Sequence, residues 1–243
     1  MVALIKGTLT KDIVNVLNKI PKEQRERVKE VTLDMANNME SSARQSFPRA
    51  HLVIDRFHVV RLATESLQHL RIKYRWEEMD KENQAIEKCR KEGKKYQAEI
   101  LPNGDTPKQL LSRSRYILTK KSYQWTKSQK ERAELLFSRY PLLKVAYHHV
   151  EEFKNIYEIQ NKLKAETMFN KWIKTSKELK IKEFNTVANT VVNNLKNILN
   201  FFINRHTNAN AESFNAKVKL FRANLRGVTD NKFFLFRLSK LFA

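Results

Sequence analysis

Two short apolar runs near the start of the chain each end in an aspartate. Val31-Thr32-Leu33 leads into Asp34, and Leu52-Val53-Ile54 leads into Asp55. Runs of this length, rich in β-branched residues, read as buried strands. Around them the period changes from strand-like to helical. In 10–28, Ile13, Val14, Val16, Leu17 and Ile20 mark an amphipathic helix with Thr10 as its N-cap, ended or kinked at Pro21. Residues 35–47 read as a helix closed by Pro48. Residues 56–76 read as another, with Val59, Leu62, Ala63, Leu67 and Leu70 on one stripe. With "VALIK" (2–6) as a first short strand, residues 1–76 alternate strand and helix. That alternation is the pattern of parallel strands joined by crossover helices.

Residues 77–206 contain no convincing strand pattern. Residues 91–109 hold two of the four glycines and two of the five prolines and are expected to be a loop. Ser128 and Glu131 have the spacing of a capping box ahead of long helical periodicity broken at Pro141. Residues 206–227 open with polar capping residues, then place Ala211, Phe214, Val218, Phe221 and Leu225 at helical spacing. This stripe needs an apolar partner, and the early sheet lacks a closing helix. The segment is therefore expected to fold back on the strands of 30–60, with Phe214, Val218 and Phe221 buried. The fold class this implies is α/β but mostly helical overall. A sheet-bearing part over 1–76 is followed by an all-helical insertion over 77–200, and 201–243 completes the core.

Composition narrows the function. One cysteine, Cys89, excludes a disulfide framework and a cysteine-based zinc site, and suits a reducing compartment such as the cytoplasm. No apolar run approaches the ~20 residues of a membrane span. Lys+Arg 47 against Asp+Glu 26 gives a formal charge of +21, spread along the chain rather than confined to a tail. An excess of this kind points to a polyanionic partner, most simply nucleic acid.

Within this basic chain the two strand-end aspartates stand out. Ligands of open α/β sheets bind at the carboxyl ends of strands, and magnesium or manganese takes hard oxygen donors from a few carboxylates. Glu212, one position off the apolar stripe near a helix start, could supply a third. Each residue also has a plainer reading. Asp34 and Asp55 each precede a helix and could be N-caps. Glu212 could be a solvated carboxylate favoured by the helix dipole, and His58 could be structural.

The spaced motifs resemble a known family. "VTLDM" with Asp34, "FPRA" (47–50), "DRFH" with Asp55 and His58, and "TNANAESFNAKVK" with Glu212, Asn215 and Lys219 look like the signatures of DDE transposases of bacterial ISL-type insertion sequences, relatives of the Mutator-like group. Ser213 stands where the family often has glycine, and Leu225-Arg226-Gly227-Val228 departs from its usual end motif. The resemblance implies a ribonuclease H-like sheet with a helical insertion before the last acidic helix. It also implies two Mg2+ or Mn2+ ions, metal-dependent cleavage of DNA at the ends of the mobile element, and strand transfer into target DNA. A bacterial, nucleoid-associated protein, forming a homo-oligomer on DNA, is the matching expectation. Asp34, Asp55 and Glu212 are the implied metal ligands. Lys217, Lys219, Arg222, Arg226, His58 and Asn215 are the candidate DNA contacts. Two assignments of the triad stand open. Asp34, Asp55 and Glu212 are one. In the other, Asp34 is the second acid, the first lies upstream of Met1, and Asp55 with His58 flanks the site; this chain alone then does not cut DNA. A catalytically dead remnant that only binds DNA is the competing function.

Overall fold

The computed structural model of the chain describes residues 5, 7–225, 227 and 229–242. The expected strand "VALIK" falls almost wholly outside the described residues, as does the side chain of Arg226. Contacts divide the chain into two compact units, residues 1–58 with 194–243, and residues 59–193.

The first unit begins with α1 (Thr10–Leu17) and α2 (Lys22–Glu26), separated at Pro21. Then come β1 (Glu30–Leu33), α3 (Asn37–Ser46) and β2 (His51–Ile54). The strands pair in parallel, Glu30 opposite His51 through Leu33 opposite Ile54, so Asp34 and Asp55 leave the sheet side by side. Leu52, Val53 and Ile54 are all buried. A strand without polar alternation is what a parallel sheet covered on both faces requires. Helix α1 packs on α3, with Ile13 buried. Thr10 does not cap α1. Leu9 holds that position, and the Thr10 hydroxyl donates instead to the Asn38 carbonyl at 3.3 Å. Arg25 donates to the Ser46 carbonyl at 2.8 Å, filling one of the carbonyls left open at the end of α3.

The chain re-enters this unit within α9 (Lys182–Leu199), followed by α10 (Phe201–Asn204), α11 (Ala209–Asn224) and α12 (Asn231–Phe242). Three polar side chains fasten the return to the strands and to α3. Asn200 donates to the Leu52 carbonyl at 2.9 Å, Asn197 to Glu40 at 3.2 Å, and Asn204 to Glu30 at 2.9 Å. Phe214, Val218 and Phe221 are half-buried rather than buried. The Phe221 ring stacks on Phe234 of α12 at 5.9 Å, so part of the stripe is satisfied by the next helix and not by the sheet.

The second unit opens with α4 (Arg56–Lys91), 36 residues long and continuous across the division. It outruns its expected end at 76 because 77–91 has no apolar stripe to betray it. Glu, Lys, Gln, Ala and Met are strong helix formers there, and Lys81 pairs with Glu78 at 2.8 Å. A loop leads to α5 (Pro107–Arg113), which starts inside the expected loop of 91–109. Thr106 and Gln109 form its capping box, with proline first in the helix. Asp105, fully buried, accepts from Asn103 at 2.9 Å and from Arg132 at 3.4 Å, and pairs with Arg113. Two short 3-10 turns precede α6 (Lys127–Arg139), α7 (Pro141–Ile156) and α8 (Lys162–Glu178). The capping box of α6 is Thr126 with Gln129, two residues before the expected Ser128 and Glu131. Both pairs fit the motif. Trp125 is extended, with its indole N–H held on the Ile117 carbonyl at 3.0 Å, so the chain turns into helix at the next residue. Among the described residues no strand occurs between 77 and 206, and no helix is long and apolar enough to cross a membrane.

His149 is the buried polar centre of this unit. Its ring stacks on Trp172 at 4.5 Å and meets Phe184 edge-on at 5.2 Å. Ser176 donates its hydroxyl to the Trp172 carbonyl at 2.9 Å, so it accepts from His149 Nε2–H at 2.6 Å. The exposed Glu152 carboxylate, 4.0 Å from Nδ1, is too far for a hydrogen bond. Burial lowers the His149 pKa from 6.5 to about 4. The folded chain therefore binds fewer protons than the unfolded chain between those values. Stability from this group is complete above pH 6.5 and is lost as pH falls toward 4, by about 3 kcal/mol at the limit. Denaturant midpoints recorded from pH 7.5 to pH 4 should fall more steeply for the native chain than for His149→Gln.

Candidate metal and DNA site

Asp55 follows the last residue of β2 and lies 2% exposed. Its Oδ1 accepts from Phe57 N–H at 2.9 Å, in the first turn of α4, and its Oδ2 accepts from Asn208 N–H at 3.1 Å, at the start of α11. The capping reading of Asp55 is thus correct, and it does not exhaust the carboxylate, since each oxygen has a second lone pair. His58 stands three residues on, one helical turn along the same face. Glu212 stands in the first turn of α11, exposed, where the helix dipole favours a carboxylate. The Asn208 contact sets this helix start against β2. As a result one donor atom each from Asp55, His58 and Glu212 lies within 4.8 Å of the other two.

Asp34 makes a similar local bond, Oδ1 accepting from Ala36 N–H at 3.0 Å. It lines a cleft of about 410 Å³ with His58, Asn208, Glu212 and Asn215. Ile13, Leu17, Val31 and Met39 are among the cleft's apolar lining. Two of the three candidate acids, Asp34 and Glu212, therefore line one cleft with His58, and Asp55 is buried at the carboxyl end of β2. Lys217, Lys219 and Arg222 are exposed on α11. At 100° per residue Asn215, Lys219 and Arg222 fall on the Glu212 side of the helix, and Lys217 falls on the other. Arg222 also sits over the Phe234 ring at 5.5 Å.

The donor set suits a divalent cation. Two carboxylates are hard oxygen donors fit for Mg2+ or Mn2+, and an imidazole among them favours manganese of the two. At 2.1 Å bonds, opposite ligands of an octahedral ion stand about 4.2 Å apart and adjacent ones about 3.0 Å, so the three donors would draw closer together to share one ion. His58, expected as a structural residue or a DNA contact, stands with Asp55 and Glu212 in this group, three residues after Asp55 at a helix start. The Asn208 amide, a backbone group, left no signal in side-chain pattern.

Two acids at parallel strand ends and a glutamate from a distant helix thus come together in a strongly basic chain. A family model described as "Transposase" matches residues 1–238, and the chain belongs to the ISL3 family of DDE transposases. A curated relative, the "Transposase for insertion sequence element IS1001" of Bordetella parapertussis, is 24% identical over 227 residues, covering 92% of this chain and 50% of that protein. The chain thus spans about half the length of this relative. No solved structure matches it.

Asp55→Asn keeps the shape but turns one acceptor into a donor facing an amide N–H. It should cost about 1–3 kcal/mol for the buried amide left unpaired. Glu212→Gln, at an exposed position, should stay within about 0.5 kcal/mol of the native chain. Urea denaturation of the two variants checks this contrast.

Proposed function

We propose that the chain is the catalytic portion of an insertion-sequence transposase, carrying out metal-dependent DNA cleavage and strand transfer. The observation that supports this best is the convergence of Asp55, His58 and Glu212 at a cleft also lined by Asp34. Residues 1–76 and 201–243 are read as a ribonuclease H-like core, with 77–200 as its helical insertion. The β1–α3–β2 unit and the return of α11 toward it support that reading.

The chain's own groups divide the task. Asp55 fixes the start of α11 and offers its remaining lone pairs to a cation. Glu212 and His58 supply donors from opposite sides, and Asp34 lies at the same cleft for a further ligand. Three donors are enough for one ion, and a bound pair would draw on Asp34 and a further carboxylate. Two divalent ions ~3.5–4 Å apart activate the attacking oxygen and stabilise the leaving one in phosphoryl transfer. Lys219 lies two turns beyond Glu212, about 10 Å along the axis, and is placed with Asn215 and Arg222 to hold phosphates leading to the cleft. Element ends and target DNA are the proposed partners, with assembly of several copies on the DNA.

The second reading is a DNA-binding remnant without turnover, favoured by the engagement of both Asp55 oxygens with backbone amides. Incubating the chain with Mn2+ and supercoiled DNA bearing the element ends separates the two. Nicking that is lost in Asp34→Asn and Glu212→Gln supports the catalytic reading. Tight binding without nicking supports the remnant. Mn2+ affinity, measured directly, should fall at least about tenfold in Glu212→Gln.

Binding to duplex DNA should be strongly salt-dependent. Six phosphate contacts would lower affinity by roughly three orders of magnitude between 50 and 200 mM salt. Lys219→Ala should reduce the slope of log affinity against log salt by about 0.9, and Lys217→Ala should change affinity for DNA entering the cleft less. Titrations by fluorescence anisotropy at several salt concentrations test both.

A further inference from the structure

Two clefts open side by side on the unit of 59–193, about 360 and 350 Å³ in volume. They share Ser122, Trp125, Glu134 and Phe137. The Trp125 and Phe137 rings lie 6.3 Å apart, and each packs on Tyr147, at 5.4 and 5.5 Å. The set is held still from behind. Trp125 donates its indole N–H to the Ile117 carbonyl, and the Tyr147 hydroxyl donates to the Lys120 carbonyl at 2.9 Å.

Core packing accounts for Tyr147, which is buried. It does not account for Trp125 and Phe137, which stay half-exposed in the clefts, or for Tyr123, 75% exposed beside the second. The rim is basic. Lys130 lines one cleft, and Lys144 and His148 line the other. From residue 113 to 148 nine lysines and arginines stand against Glu131 and Glu134.

We propose that these clefts form a stacking site for unpaired nucleobases of single-stranded DNA, with Trp125 and Phe137 as the platform. This rests on the reading of the chain as a DNA-processing protein and assigns a second contact to it. Rigid aromatic faces beside cations are the combination that binds single strands, because every base offers a π-face and every linkage a phosphate. Lys130 and Lys144 flank the platform for the phosphates. Glu134 reaches into both clefts as an acceptor, which favours bases with an exocyclic amino group, as a carboxylate does with cytosine N4. Oligo(dC) should therefore bind more tightly than oligo(dT).

The test uses the whole chain and labelled deoxy-oligonucleotides of about 16 residues, a duplex of equal length, and a ribo-oligomer. Anisotropy gives each affinity at one salt concentration. Trp125→Leu and Phe137→Leu keep apolar bulk and remove the ring. Tyr123→Ser changes an exposed position and carries the test if the first two melt early. Affinity for oligo(dC) should fall about 5- to 100-fold in the ring variants, with duplex affinity unchanged. Glu134→Gln should erase the preference for oligo(dC). Unchanged single-strand affinity in the folded variants overturns the proposal, as does an equal loss for duplex. A ribo-oligomer bound more than tenfold tighter than its deoxy counterpart also overturns it. Self-association lost in the variants, with DNA affinity intact, overturns it by giving the face to a second copy. A native chain that binds no DNA of any kind removes the functional reading itself, whereas normal duplex binding with inert variants removes only the stacking site.

Discussion

The buried carboxylate of Asp55 is the constraint on which the candidate site depends. One oxygen holds the start of α4 and the other holds the start of α11, a helix 153 positions later in sequence. A carboxyl group at 2% exposure needs hydrogen-bond partners, and two backbone amides supply them. The same two bonds bring His58 and Glu212 to its sides. What the buried carboxyl group needs for its own hydrogen bonds is thus also what gathers the donors.

The wider electrostatics follow from this arrangement. A chain of charge +21 attracts phosphates over most of its surface, which would be indiscriminate by itself. The clustered acids at the end of the two-stranded sheet repel them at one place. A cation bound there would reverse the local sign. Glu212 stands in the first turn of α11, where the helix dipole favours a carboxylate.

Much of this arrangement was legible in the sequence. Apolar runs ending in Asp34 and Asp55 announced two strands, because a covered parallel strand has no polar alternation to disguise it. The distant Glu212 was legible through its place beside the apolar stripe at a helix start and through the order of motifs, since no local pattern links it to residue 55. The last turns of α4 were hidden because a helix held by propensity and charge pairs shows no stripe. The choice between Thr126 and Ser128 as a cap was hidden for another reason. Two equivalent motifs overlap there, and a tertiary contact of Trp125 selects between them. The half-burial of Phe214 shows the limit of a stripe argument: periodicity says that a face wants cover, and the neighbouring α12 could provide it as well as the sheet could. The expected choice between capping and metal binding at the aspartates was a false alternative, because a carboxylate has lone pairs for both.

The distance in sequence between Asp55 and Asn208 also has a meaning for synthesis. Asp55 and His58 emerge from the ribosome together, yet the set stays one short until Glu212, 154 positions after His58, has been added. Closing so long a loop carries a large entropic cost, and chain segments made first fold first. A nascent chain that stops short of Asn208 therefore has only one of the two amides that engage the Asp55 carboxylate, and Glu212 has not yet come to its side.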